Sequence, residues 1–278
     1  MTDEGSRKRE ESRRVFSEAA STYDRIGPPI FSHFGQRLVD VAEIPLGAKV
    51  LDVASGRGAV LFAVAGKIGS TGRVVGIDFT AAMVSETGKD IESRKIANAE
   101  IHQMDAEQME FDDAAFDHVT CGFAIWMFAE PARVLQEFYR VLRPGGKLAL
   151  STWAADNPSQ TWCHEVLRPF VPAPASKQLA TKDDLKFDSP LQLETALRQS
   201  GFADIQIAVE EKEFVYRSEE QYWSSLWSSG LRRQLEKMTA DSLEQAKSEV
   251  MRKFQAFKQS DGFHKLNRAL FAFGTKPA

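Results

Sequence analysis

Apolar residues recur along the chain with two different spacings, and these spacings separate predicted helices from predicted strands. From Ser12 to about Ala42 they return every three or four positions, which predicts two helical segments broken at Gly27-Pro28-Pro29. Further along, short valine-rich runs typical of buried parallel strands alternate with helical stretches. This alternation predicts an α/β fold with a doubly wound sheet and right-handed crossovers.

The predicted elements continue to the end of the chain. The predicted strands are residues 49–54, 72–78, 100–104, 116–123, 147–153, 205–209 and 270–274. The predicted helices after the N-terminal pair are residues 59–68, 81–96, 131–142, 191–200 and 218–258. The pattern loosens between residues 156 and 190, so the second half of the chain is interpreted as a helical insertion set into the end of the same sheet.

Composition narrows the class of protein. A chain of 278 residues with 43% hydrophobic and 27% charged residues is globular, and its formal charge of -4 lacks the basic excess of a general nucleic-acid binder. Cys121 and Cys163 have no metal-ligand spacing and are too few for a disulfide framework, which favours a cytoplasmic protein without a metal site. The longest apolar run, residues 59–65, is too short to span a membrane. The first fourteen residues mix basic and acidic side chains and predict a solvated tail.

The candidate binding chemistry follows the first predicted strand. Asp52 is followed by the turn Ala54-Ser55-Gly56-Arg57-Gly58, and Asp78 ends the next strand twenty residues after Gly58. Glycines permit a tight turn and a close approach to a ligand, and an acid at this spacing can accept hydrogen bonds from ribose hydroxyls. Leu61 replaces the third glycine of the dinucleotide fingerprint, and no phosphate-loop lysine follows. The pattern therefore favours a ligand with ribose and adenine but no pyrophosphate.

Six motifs, in this order, give the chain a family resemblance. They are Phe16 to Tyr23-Asp24, Leu51 to Gly58, Gly76-Ile77-Asp78, Met104-Asp105-Ala106, Phe116-Asp117 to Phe123, and Arg140 to Gly146. Together they resemble the class I S-adenosylmethionine-dependent methyltransferases, most closely the branch of the ubiquinone and menaquinone C-methyltransferases. The resemblance covers about residues 15 to 155.

The resemblance implies an architecture. It is a Rossmann-like sheet of seven strands, six parallel and the last antiparallel, with N-terminal helices and a helical lid insertion. Residues 1–44 would form a tail and lid, residues 45–155 the S-adenosylmethionine-binding core, and residues 156–278 lid insertions plus the final strands. Within the last part, stretches of about 156–190 and 212–264 would belong to the lid.

The resemblance also implies S-adenosylmethionine as the cofactor and a set of residues that bind it. These are Tyr23, Asp52, Ala54, Ser55, Gly56, Gly58, Asp78, Phe79, Met83, Asp105, Ala106, Gly122 and Phe123. Asp52 and the glycine turn would lie along the methionine part, and Asp78 would bind the ribose. Phe79 and Met83 would flank the adenine, with Asp105 and Ala106 at its amino edge. Gly122 and Phe123 would face the sulfonium, and Tyr23 would close over the cofactor.

The methyl acceptor is expected to be apolar. Phe123, Trp126, Met127, Phe128 and Trp153 collect near the ends of the fourth and fifth predicted strands, where α/β folds bind ligands. They suit a flat, apolar substrate, and their rings can attract a sulfonium cation, although core packing accounts equally well for any one of them.

No catalytic residue is assigned from the sequence. Methyl transfer needs a general base only if the acceptor keeps its proton. His33 and His164 lie where the family that the sequence resembles has its substrate pocket, and they are the candidate bases.

The expected function is methyl transfer from S-adenosylmethionine to a hydrophobic small molecule, of natural-product or quinone-like type, with a carbon, oxygen or nitrogen acceptor. A homo-oligomer is compatible with the sequence. The alternatives are a nicotinamide-dependent oxidoreductase, which Leu61 opposes, and a cofactor-binding interaction protein without catalysis. Methylation of protein or RNA is a further alternative, which the acidic balance opposes.

Overall fold

Five parallel strands form the first part of a central sheet. The computed structural model describes residues 3–172 and 186–278. The five strands are β1 (Lys49–Val53), β2 (Arg73–Asp78), β3 (Ala99–Gln103), β4 (Phe116–Gly122) and β5 (Leu142–Trp153). In space they follow the order β3-β2-β1-β4-β5, so the order reverses between β1 and β4. This reversal leaves a crevice at the carboxyl ends of the strands, which is where open α/β sheets bind ligands.

Two long strands complete the sheet. They are β6 (Ala203–Tyr216) and β8 (Gly262–Thr275), and the two-residue strand β7 (Lys258–Gln259) pairs with β8. Strand β8 runs antiparallel to both β5 and β6. The predicted α/β class and the antiparallel last strand are therefore confirmed, while the predicted count of seven strands omitted β7.

Helices cover both faces of the sheet. They are α1 (Asp3–Ala19), α2 (Ile30–Val41), α3 (Ala59–Ile68), α4 (Ala81–Ser93), α5 (Pro131–Val141), α6 (Pro158–Leu167), α7 (Pro190–Gln199), α8 (Glu219–Trp227), α9 (Arg232–Leu235) and α10 (Ala240–Phe254). Apolar residues of α2 and α3 pack on one face of the sheet, and those of α5 and α7 pack on the other. Helices α6, α8 and α10 enclose a third apolar cluster with the ends of β6 and β8.

The boundaries predicted for the second half were partly wrong. Residues 212–216 and 262–264 belong to β6 and β8, which extend beyond the predicted strands 205–209 and 270–274. The helix predicted over 218–258 is interrupted, and consists of α8, α9, α10 and a 3-10 helix before β7 begins at Lys258. Strand length here is set by pairing between β6 and β8, for example Phe214 with Lys265, rather than by a local pattern. Residues 173–185 of the predicted lid lie outside the described residues.

The solvated tail predicted for the first fourteen residues is also wrong. Residues 3–19 form helix α1, and Arg9 on this helix pairs with Asp105 (2.7 Å) and Glu107 beyond the end of β3. The charged side chains that suggested a solvated tail therefore include Arg9, whose ion pairs hold this helix against the sheet. No helix in the described ranges is long and apolar enough to cross a membrane.

One lysine lies inside the third apolar cluster. Lys265 is 1% exposed, and its ammonium nitrogen lies 4.0 Å from the ring centre of Trp162 and 3.8 Å from that of Phe257. No described carboxylate pairs with it. The two rings attract the cation, but burial lowers the pKa of Lys265 to about 8 from an ordinary 10.5. The folded protein thus keeps this charge at a cost in stability.

We expect Lys265→Met to stabilise the protein at pH 7 by roughly 1–2 kcal/mol, the desolvation cost less the lost attraction of the rings. Between pH 8 and 10.5 the unfolded chain holds more protons at this site than the folded chain, so the wild-type stability should rise with pH. Urea unfolding of both proteins at pH 7, 8 and 10 would measure this. A variant less stable than wild type at pH 7, or one with the same pH slope, would contradict the account.

Candidate active site

A cavity of about 540 Å³ opens at the carboxyl ends of β1, β2 and β4. Its lining includes all thirteen residues that the sequence predicted for the cofactor, which are Tyr23, Asp52, Ala54, Ser55, Gly56, Gly58, Asp78, Phe79, Met83, Asp105, Ala106, Gly122 and Phe123. These residues come from six separate segments of the sequence. The fold therefore gathers them around one space, here called the first cavity.

Asp78 joins the ends of β1 and β2. Its two carboxylate oxygens accept the backbone N–H groups of Gly56 and Thr80, each at 2.8 Å. Burial raises the pKa of Asp78, while these two N–H groups oppose the rise. The acid is thus fixed at the wall of the cavity and orients the turn after β1.

The turn after β1 has a backbone that favours glycine. Gly56 and Gly58 have φ values of 51° and 78°, and a Cβ added at Gly58 would lie 2.5 Å from the Phe62 ring. Ala54 also has a left-handed φ of 55°, which costs an L-residue roughly 1–2 kcal/mol. Such strain concentrates at functional sites.

Asp52 lines the first cavity and has a buried carboxylate oxygen without a described hydrogen-bond partner. The Thr120 hydroxyl donates to Oδ1 at 2.8 Å, but no described residue donates to the buried Oδ2. Burial raises the pKa of Asp52 to about 7, because the charged form loses its hydration there. A cationic ligand would satisfy this oxygen and favour its ionised form.

Helix α1 covers the other end of the cavity. Arg9 binds Asp105 and Glu107, and the Arg13 guanidinium lies 4.3 Å from the ring centre of Phe79. Glu107 in turn accepts the backbone N–H of Ala129 at 2.9 Å, beyond the end of β4. Sequence reasoning missed Arg9 and Arg13, although their i, i+4 spacing on one helix face was visible.

A second cavity, of about 460 Å³, adjoins the first. The residues that line both are Phe16, Tyr23, Asp24, Phe31, Phe123 and Met127. Trp126 and Trp153 line the second cavity, as the apolar collection near β4 and β5 predicted, whereas Phe128 lines the first. Tyr216 and Tyr222 add further aromatic surface from the second half of the chain. The second cavity therefore combines aromatic walls with charged side chains, among them Lys186, Asp188 and Arg233.

The two candidate histidines differ in position. His33 lines neither cavity, and its ring packs against Phe34 and Phe214. His164 lines the second cavity, where the Gln234 amide donates to its Nδ1 at 3.2 Å. Burial lowers the pKa of His164, so its ring is uncharged near neutral pH. Over residues 3–172 and 186–278 no group of His, Cys, Asp and Glu side chains is arranged to hold a metal ion.

The model of the ubiE/COQ5 methyltransferase family matches residues 2–170 of the chain. The chain belongs to this family. The methyltransferase is 30% identical over 252 residues to the nocamycin O-methyltransferase of Saccharothrix syringae, an alignment that covers 87% of the chain and 90% of that protein.

Two further comparisons concern the sequence and the fold. The methyltransferase is 37% identical over 139 residues to the aklanonic acid methyltransferase DauC of Streptomyces sp. strain C5, covering 50% of the chain and 63% of that relative. Its fold is similar to that of the YcgJ protein of Bacillus subtilis, with a TM-score of 0.60 and 20% identity over 88% of the chain and 99% of that structure. Nothing in these comparisons supports a nicotinamide-dependent oxidoreductase.

S-adenosylmethionine is the cofactor of this methyltransferase family, and the first cavity fits it. The unpartnered Oδ2 of Asp52 suits a ligand that carries an ammonium and a sulfonium cation. The lining has no lysine. Of its five arginines, Arg9, Arg25 and Arg57 pair with carboxylates, whereas Arg13 and Arg94 lie over the rings of Phe79 and Phe62.

The affinity of the protein for S-adenosylmethionine should rise by about tenfold from pH 6 to pH 8, because Asp52 ionises across this range and would bind a cation only when charged. Calorimetric titration at both pH values would measure this rise. The control is Asp52→Asn, since the cofactor's own amine titrates identically with both proteins. Equal pH dependence in the two proteins would show that Asp52 does not face the cation.

Proposed function

We propose that this protein transfers a methyl group from S-adenosylmethionine in the first cavity to a hydrophobic small molecule in the second. The observation that carries the proposal is that the two cavities adjoin, with six residues lining both. A group bound in one cavity beside these residues would lie next to a group bound in the other. Methyl transfer requires this direct access between donor and acceptor.

The contacts support an assignment of the cofactor's groups to different parts of the first cavity. Asp78, held by Gly56 and Thr80, would accept hydrogen bonds from the ribose hydroxyls. Phe79 and Met83 would flank the adenine, and Asp105 and Ala106 would meet its amino edge. Asp52 and the turn from Ala54 to Gly58 would hold the methionine part. Gly122 and Phe123 would face the sulfonium, with Tyr23 closing from the N-terminal segment.

Methyl transfer requires little from the protein beyond the positioning of donor and acceptor. When bound, the cofactor supplies an electrophilic methyl group on a sulfur that is a very good leaving group. The residues of the two cavities then align donor and acceptor in line and exclude water, which can supply much of the acceleration. If the acceptor keeps its proton, His164 is the candidate base, because its uncharged ring lines the second cavity.

The lining of the second cavity supports an apolar, flat acceptor of natural-product or quinone-like type. Its walls include Trp126, Trp153, Tyr216 and Tyr222. Two relatives are named aklanonic acid methyltransferase and nocamycin O-methyltransferase, and these names support a natural-product acceptor. Carbon, oxygen and nitrogen acceptors are all compatible with this cavity.

We further propose that the protein acts in the cytoplasm, without a nucleic-acid partner, and that it can form a homo-oligomer. Between Glu100 and Asp117 the chain has seven acidic residues and no lysine or arginine. This stretch includes Asp105 at the first cavity, where it would repel a phosphate backbone.

The proposed function predicts that the protein binds S-adenosylmethionine and S-adenosylhomocysteine but not NADH. Asp78→Asn should weaken both sulfur ligands by about ten- to a hundredfold, because it removes a charged acceptor for the ribose. Calorimetry measures the binding, and isotopically labelled S-adenosylmethionine offered with a panel of aromatic acceptors measures the transfer.

The matched control for Asp78→Asn is Asp40→Asn, since Asp40 is an exposed acid that lines neither cavity. Unfolding curves of both variants would establish that they are folded. Binding of NADH in place of the sulfur ligands would overturn the proposal. Binding without transfer to any acceptor would favour a cofactor-binding interaction protein.

A further inference from the structure

One buried amide side chain lines the second cavity. Asn267 lies on β8 and is 4% exposed. The same cavity is lined by the buried side chains of Cys163, Tyr216, Tyr222 and Leu226, which are aromatic or weakly polar. In such surroundings a hydrogen bond to an amide is strong, and an amide oxygen without a donor is costly. The chemistry of this amide therefore bears on what the cavity binds.

The orientation of the Asn267 amide is fixed by one hydrogen bond. Its Nδ2 donates to the backbone carbonyl of Lys265 at 3.4 Å. A carbonyl oxygen cannot donate, so the reversed amide would place oxygen against oxygen. No described residue donates to Oδ1 of Asn267. The side chain thus has an acceptor oxygen for a ligand in the second cavity.

The backbone beside Asn267 is held in place by a second asparagine. Asn157, buried just before α6, accepts the backbone N–H groups of Ser159 and Arg268 at its Oδ1, each at 3.2 Å. The carbonyl of Arg268 in turn accepts the backbone N–H of Ala154 at 3.2 Å. These bonds join the chain after β5 and the start of α6 to β8. Asn267 is therefore carried by a rigid element, which favours precise recognition.

The group that suits Oδ1 of Asn267 must donate a hydrogen bond. A hydroxyl group on the ligand can do so. A keto oxygen or a carboxylate at the same place would be repelled, because it would bring a second acceptor against the amide oxygen. A ligand with only C–H groups there would bury the oxygen without a donor and bind more weakly.

We propose that Asn267 is a specificity-determining residue for the methyl acceptor, and that it selects a flat aromatic molecule with a hydroxyl group. This inference rests on the proposed function, because it assumes the acceptor in the second cavity. Asn267 is not among the six residues that line both cavities. The hydroxyl that it binds therefore lies away from the place where the cavities adjoin. This hydroxyl orients the acceptor and is not the atom that receives the methyl group.

The test measures the binding of three anthraquinones to the full chain at saturating S-adenosylhomocysteine. The three compounds carry a hydroxyl, a methoxy group or hydrogen at one ring position, and are 2-hydroxyanthraquinone, 2-methoxyanthraquinone and anthraquinone. Quenching of tryptophan fluorescence reports binding, since Trp126 and Trp153 line the second cavity. At a pH below the pKa of the phenol, the wild-type protein should bind the hydroxyl compound about five- to thirtyfold more tightly than the other two.

Asn267→Leu removes the acceptor oxygen and should reduce this preference to less than about twofold. The hydroxyl compound should weaken, whereas the other two should bind as tightly as before or more tightly, because they no longer bury an unpaired oxygen. Asn267→Asp keeps an acceptor oxygen and should retain the preference. A residue with a merely structural role would change all three affinities together.

The matched control is Leu226→Ala, which changes the shape of the same cavity without changing a polar group. It should alter the three affinities by a similar factor and leave their ratio unchanged. Equal weakening of all three compounds in Asn267→Leu, or no hydroxyl preference in the wild-type protein, would overturn the inference. Binding of none of the three would overturn it as well.

Failure of S-adenosylhomocysteine itself to bind, measured separately by calorimetry, is a different result and would refute the proposed function. If Asn267→Leu does not fold, Asn267→Ala repeats the comparison, since it also lacks the amide oxygen.

Discussion

The carboxylate of Asp78 is the contact on which the arrangement of the first cavity depends. It ends β2 and accepts the N–H of Gly56 from the turn after β1 and the N–H of Thr80 before α4. One buried acid therefore holds two loops at the edge of the sheet where the strand order reverses. Gly56 and Gly58 permit the left-handed backbone that brings the turn to this acid.

Burial of acidic groups gives the first cavity its electrostatic character. Asp52 and Asp78 are both buried, both have raised pKa values, and Oδ2 of Asp52 has no described partner. An isolated buried carboxylate is costly unless something compensates it, and a cationic ligand does so. At the opposite end Arg9 compensates Asp105 and Glu107 from helix α1. In the proposed function, the ligand would compensate Asp52, whereas helix α1 compensates Asp105 and Glu107.

The sheet and much of the first cavity can be predicted from the sequence because the patterns that indicate them are local. Valine-rich runs mark β1 and β2, and the glycine turn and Asp78 lie at fixed spacing, so the first cavity could be outlined before the structure. The first half of helix α1 could not, because its contacts depend on Arg9 meeting Asp105, 96 residues away. The extent of β6 and β8 depends likewise on their mutual pairing. His33 lies outside both cavities and Phe31 lines both of them because of the way in which α2 packs. No spacing in the sequence encodes this packing.

The central claim is that one cavity at the ends of β1, β2 and β4 holds the methyl donor. The most direct measurement is a crystal structure of the protein grown with S-adenosylhomocysteine. The account predicts ligand density in the first cavity, with ribose hydroxyls within hydrogen-bonding distance of the Asp78 carboxylate. Density for the ligand elsewhere on the protein, or ribose hydroxyls without contact to Asp78, would contradict it.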